Sequence, residues 1–192
     1  MARPRSFDEA VVLDKAMRQF WSKGFEATSL ADLVAVTGLA KGSLYQAFGD
    51  KRQLYLRTLR NYLDEGRVNM AQNLGSASSG HRGIADWLAR MGERASARPR
   101  TGCFGVNAAV ELGAHDVEVR GIMADHDRHR KVILAEALSR GVAEGDFRAD
   151  LDPEAGAGFL ILFSHGIMSM GRASLEKKEV EALIEITLRA LE

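Results

Sequence analysis

The densest chemistry in this chain lies between Lys41 and Lys51, where Lys41, Gly42, Ser43, Tyr45 and Gln46 follow one another closely. A glutamine amide presents a donor and an acceptor side by side, the arrangement that reads an adenine edge in the major groove of DNA. Lysine ammonium groups and serine or tyrosine hydroxyls bind phosphate oxygens, which orient a protein on a duplex. Gly42 keeps such a face small. An ordinary helical hairpin could also carry these residues as a solvated surface. It would not need Lys41, Tyr45, Gln46 and Lys51 to converge on one side. A second candidate is Cys103, which follows Gly102 at the start of an apolar helical pattern, with Arg98 and Arg100 close by in sequence. A helix N-terminus and nearby cations favour the thiolate, the form that alkylating agents and oxidants attack. A buried cysteine acting as a small hydrophobe is the alternative. His126 and His129 are spaced i, i+3, as a metal site on one helix face would require, but Arg128, Arg130 and Lys131 crowd the same stretch and fit a solvated polar face.

The elements that must position the first group are legible around it. Leu30, Leu33 and Val34 fall on one face of a helix, with Thr28 or Ser29 as its cap and Asp32 completing a capping box. Gly38 can take the positive φ that ends this helix sharply. Ala40, Leu44 and Phe48 then repeat every four residues as the buried stripe of a second helix, and Gly42 and Gln46 lie opposite, flanked by Ser43 and Tyr45. Two short helices joined by a tight glycine turn, the second with a small, polar, basic outer face, describe a helix-turn-helix whose second helix enters the major groove. Asp50 is placed to cap the next helix. Lys51 and Arg52 in its first turn oppose the helix dipole, which is relieved if a DNA phosphate meets that N-terminus.

The stretch TSLADLVAVTGLAKGSLYQAFGDKRQLY, preceded by a helix ending in Lys23-Gly24-Phe25, resembles the DNA-binding module of the TetR family of bacterial transcriptional repressors. The resemblance runs from about Phe7 to Tyr62. It implies an all-α fold, with an N-terminal three-helix helix-turn-helix domain over 1–50 and a C-terminal effector-binding and dimerisation domain over 51–192, joined by a linker helix over 51–74. It implies a double-stranded operator as partner, with Thr28, Ser29, Lys41, Gly42, Ser43, Tyr45, Gln46 and Lys51 as DNA-binding candidates. Gln46, Gly42 and Ser43 would approach base edges, and Thr28, Tyr45 and Lys51 would hold phosphates. The last two helices would form a four-helix bundle with a second copy, giving a homodimer. A small-molecule or thiol-reactive inducer would release the repressor. A helical dimeric scaffold or adaptor without DNA binding is the competing reading, and it leaves the Lys41–Gln46 face unexplained.

Composition agrees. The formal net charge is zero, yet residues 1–60 hold ten Lys and Arg against six Asp and Glu, so a basic N-terminal part sits on an acidic body. A single cysteine excludes an internal disulfide or a cysteine metal cluster, and no cofactor or metal is expected. Nucleophile-elbow, zinc-helix and phosphate-loop motifs are missing, so no enzyme is expected. Without an apolar leader or a long apolar run, a cytoplasmic protein with no membrane association is expected.

Along the rest of the chain, Ser6 with Glu9 should start the first helix behind a basic arm from Met1 to Arg5, and Gly24 should end it. Gly75 to Gly80 reads as a linker. The body should follow as helices around Trp87, from Cys103 to Leu112, from Asp116 to Glu144, after the Asp152–Pro153 cap, and from Glu176 to Leu191. Val119, Ile122, Met123, Val132, Ile133, Ala137 and Leu138 should face inward on the longest. The helix after Pro153 is apolar almost all round and so should be buried, its glycines allowing close backbone packing. Cys103, Trp87, Met91, Phe104, Asn107, Met123 and Phe163 are the candidate wall of a ligand pocket.

Overall fold

The computed structural model describes residues 7–173 and 175–192; the basic arm and Ser6 lie outside these. The described residues form helices and turns with no strand: α1 Glu9–Lys23, α2 Leu30–Thr37, α3 Lys41–Phe48, α4 Lys51–Gly75, α5 Gly80–Ser96, α6 Phe104–Leu112, α7 Val117–Glu144, α8 Pro153–Ala173 and α9 Lys177–Arg189. Most starts follow their caps. Ser29 and Asp32 form the capping box of α2, Gly38 ends it in the left-handed region, and Asp50 accepts from Gln53 N at the head of α4. Asp116 and Asp152 do the same for α7 and α8. The exception is α1, which begins at Glu9 with the Asp8 carboxylate accepting from Ala10 and Val11 N–H, rather than at Ser6.

Two other expectations change. Residues 76–79, expected within a linker, form a tight turn between α4 and α5. Gly80 packs on α7 so closely that a Cβ would stand 2.3 Å from Gly141 N, and its N–H donates to Glu144. On α7, Val132 points outward at 51 % exposure and Leu134 takes the buried place instead.

Head and body are not separately cored. The head core of Leu13, Phe20, Leu33, Leu44, Tyr55 and Leu59 continues without a break into Phe104 and Ala108 of α6 and Val119 of α7. Phe104 lies edge-on to Tyr55 and to Tyr62, with ring centroids 5.6 and 5.7 Å apart, and Trp21 of α1 meets Tyr62 at 5.2 Å. Polar contacts cross the same junction. The Trp21 indole donates to Thr101 O at 3.1 Å, and the Glu111 carboxylate accepts from Phe25 N at 3.0 Å and Glu26 N at 2.9 Å. Arg52 holds Asp116 through two hydrogen bonds, and shares Glu118 with Arg60. The Arg52 guanidinium and the N–H groups of the α7 start hold the Asp116 carboxyl at about 2, below the usual carboxylate range.

The body core, with Ile84, Leu88, Leu134, Leu138 and Leu160 fully buried, lies between α5, α7 and α8. Contrary to the sequence reading, α8 is not buried all round. Phe159, Leu162 and Met170 are exposed, as are Leu183 and Ile186 of α9. Gly171 packs against Ala95 backbone, whereas Gly158 and Gly166 face open space. One face of the α8–α9 pair is therefore apolar and uncovered within the single chain.

Candidate nucleic-acid interface and body cavity

The outer face of α3 is held from below and left free above. Leu44 and Phe48 are buried with Ala47 beside them; Ala40, expected in that stripe, is instead the exposed N-cap. Lys41, Gly42, Ser43, Tyr45 and Gln46 are all exposed. Ser43 and Gln46 make no side-chain hydrogen bond among the described residues, so their donors and acceptors are available to an incoming partner. The Lys41 ammonium lies 5.7 Å from the Tyr45 ring centre, which groups a cation and a phenol on one flank.

Three candidates have other duties. Thr28 is fully buried and its hydroxyl donates to Gly24 O at 2.6 Å, so it does not present that group to a phosphate. The Ser29 hydroxyl both donates to the Asp32 carboxylate and accepts from Asp32 N–H, which commits it to the cap of α2. Lys51 is half-buried over the Phe25 ring, and its ammonium donates to Phe25 O at 2.8 Å and Thr28 O at 2.9 Å. It thus ties the start of α4 to the turn between α1 and α2 and keeps one N–H for another acceptor. Those carbonyls offset the cation's opposition to the α4 dipole locally, a role that sequence spacing did not suggest. Asp32, bonded to Lys23 and Ser29, is held well below the usual carboxylate range.

In the body, a cavity of about 470 Å³ opens between α4, α5, α7 and α8. Of the expected wall, Trp87, Met91, Cys103 and Met123 line it. Phe104 does not; it is spent on the aromatic junction with α1 and α4. Asn107 donates to Thr101 O and faces a separate cleft beside Lys23 and Glu111, and Phe163 stacks on Phe159. Sequence reasoning offered His165 as a possible cavity residue but missed Arg130 and Ser164 in the polar lining. Arg130, with only 12 % of its side chain exposed, donates to Ser164 at 2.9 Å and Asp127 at 3.1 Å; Asp127 lies 3.2 Å from His165. The i, i+3 pairing of Asp127 with Arg130 was visible in sequence, but it read as surface. His126 faces the cavity, where burial and then the Arg130 charge lower its pKa to about 4 and keep it neutral. His129 is exposed and bonded to Asp125 O, so the two histidines do not converge, and no group of three or more metal-ligating side chains occurs among the described residues.

Cys103 caps α6 without a side-chain hydrogen bond to its backbone, and its sulfur lies 3.6 Å from the Tyr62 hydroxyl oxygen. Tyr62 in turn accepts from Arg94 at 2.6 Å, and burial pushes its phenol pKa up. Among the described residues no helix is long and apolar enough to cross a membrane.

Residues 12–58 match the family described as bacterial regulatory proteins, tetR family, and residues 82–186 match the tetracyclin repressor-like C-terminal domain. The chain is 32% identical over 179 residues to the HTH-type transcriptional repressor ComR of Escherichia coli (strain K12), covering 91% of this chain and 85% of that protein. It is 27% identical over 195 residues to the uncharacterized HTH-type regulator YezE of Bacillus subtilis (strain 168), covering 100% of each. Among solved structures it resembles a cysteine mutant of the TetR family regulator CifR complexed with 26bp double-strand operator DNA, at 31% identity and a TM-score of 0.86 over 100% of both chains.

Proposed function

The chain belongs to the tetR family of bacterial regulatory proteins, and on that footing we propose that it is a DNA-binding transcriptional repressor whose α3 reads an operator in the major groove. The observation that carries this is the outer face of α3. It is exposed and unpartnered, and it projects from a turn locked by Lys51, the Ser29–Asp32 cap and Gly38. Gln46, Ser43 and Gly42 face base edges; Tyr45, Lys41 and the remaining Lys51 N–H face phosphates. Two copies joined through the uncovered α8–α9 face would set two such helices about 34–36 Å apart, one turn of duplex. Related proteins are regulators rather than enzymes, and the protein acts in the cytoplasm, where its DNA is.

Release is assigned to the body cavity. An occupant there touches α4, which runs from Tyr62 back to Lys51 and the head. Reversible occupancy and covalent modification of the Cys103 sulfur would use the same space, and the similarity to CifR, whose cysteines were replaced in the solved mutants, supports examining both. The test is selection of bound fragments from the source genome, followed by affinity measurements at several salt concentrations. A repressor retains particular fragments and shows a steep salt slope. A helical scaffold retains none. Once an inducer is in hand, operator release from Cys103→Ser protein at the wild-type inducer concentration would eliminate the thiol route.

A further inference from the structure

The body cavity has an apolar interior and a charged mouth, and the two ends differ in how their charges are settled. Trp87, Met91, Met123 and Met168 supply apolar wall, and methionine side chains adapt readily to an occupant's shape. At the base, Arg130 is already neutralised by Asp127 and also contacts Ser164 and His165. At the mouth, Arg90 and Arg94 stand one helical turn apart on α5, both exposed. Neither forms an ion pair among the described residues; Arg94 donates only to the Tyr62 hydroxyl oxygen. Glu65, across the mouth on α4, pairs with neither.

Resting on the inducer-cavity reading above, we propose that the cavity takes an amphipathic organic anion, with its apolar body on the Trp87–Met123 wall and its carboxylate on Arg94 and Arg90. A guanidinium meets a carboxylate with two parallel hydrogen bonds, and the two exposed cations lack a protein carboxylate to compete for them. A carboxylate is also a stronger acceptor than a phenol oxygen, so it draws Arg94 away from Tyr62. Tyr62 packs on Trp21 of the head and on Phe104, which places the exchange at the head–body junction. That gives the ligand different contacts in the two states, without which no ligand shifts an equilibrium.

Three probes of equal length test this: decanoate, decan-1-ol and decylamine, titrated calorimetrically into the intact protein. Decanoate should bind about tenfold more tightly than the alcohol, and the amine more weakly than either. Added salt should narrow the gap. Arg94→Gln should erase the preference for decanoate while retaining decan-1-ol, and Arg94→Lys should restore part of it. Gly66→Phe, at a mouth position where a new Cβ meets nothing within 4 Å, should block both probes without disturbing the fold. The proposal is overturned if the alcohol binds as well as the acid, if the amine binds best, if no probe binds, or if Arg94→Gln or Gly66→Phe leaves decanoate affinity unchanged. Operator release is read separately by fluorescence anisotropy on a selected fragment. Decanoate that binds as described but leaves DNA bound refutes the inducer reading and not the anion site; decan-1-ol that releases DNA as effectively as decanoate refutes the Arg94–Tyr62 exchange and leaves the inducer reading standing.

Discussion

Glu111 is one of the residues through which the body grips the head, and its removal has a calculable cost. Its carboxylate accepts from Phe25 N at 3.0 Å and Glu26 N at 2.9 Å, immediately after the α1-terminating Gly24, whose φ of 89° leaves no place for a side chain. Hydrogen bonds to a charged group contribute about 1.5–3 kcal/mol each. Glu26 is exposed and rehydrates in the variant, whereas Phe25 is half-buried and recovers less. Glu111→Ala should therefore destabilise by about 2–3 kcal/mol. For a chain of this length that lowers the melting midpoint by about 5–10 °C, measurable by scanning fluorimetry. Glu111→Gln, which keeps an acceptor for one of the two N–H groups, should lose about half as much. The looser head should also respond less to inducer, since one of the polar links between α6 and the α1–α2 turn is gone. A Glu111→Ala midpoint within about 1 °C of wild type would refute the claim that this contact anchors the head.

Gln46→Ala should relax operator preference by about 1–3 kcal/mol with little effect on random duplex, as seen in parallel titrations of matched and scrambled DNA. Lys51→Met should both lower the melting midpoint and weaken all DNA sequences alike, because the ammonium bonds to the Phe25 and Thr28 carbonyls; loss of DNA affinity with unchanged stability would contradict this positioning role. Leu162→Glu, at a site 72 % exposed in the single chain, should yield a folded monomer by light scattering that has lost operator affinity. His126 has a folded-state pKa of about 4 against an ordinary 6.5, so the unfolded chain binds its proton first as pH falls. Stability from this group is complete above pH 6.5 and is lost between there and pH 4, and His126→Gln should flatten the melting midpoint across that window.

What was legible in the sequence depends on short-range physics. The capping box of Ser29 and Asp32, the positive φ of Gly38, the Asp152–Pro153 start of α8 and the outward set of Lys41 to Gln46 all involve partners within about four residues, where helix geometry alone dictates the neighbour. Even there, Asp8 displaced Ser6 as the cap of α1, since a carboxylate two residues before Ala10 meets both free N–H groups. Family likeness pointed to a DNA-facing role for this set but not to each side chain's duty.

The rest required the chain to fold back on itself. Thr28 turned out buried, which the sequence did not show, although the partner its hydroxyl takes, Gly24 O, is only four residues away. Lys51 reaches carbonyls 26 and 23 residues away, and Glu111 reaches N–H groups 86 and 85 residues away. Phe104 looked like pocket wall and became the hub of the aromatic junction, while Arg130 and His126 looked like surface and became cavity lining. Each of these outcomes turns on which helix lies against which, and a buried polar group takes whatever partner that packing brings within 3 Å, because leaving it unpaired costs more than any local preference can return.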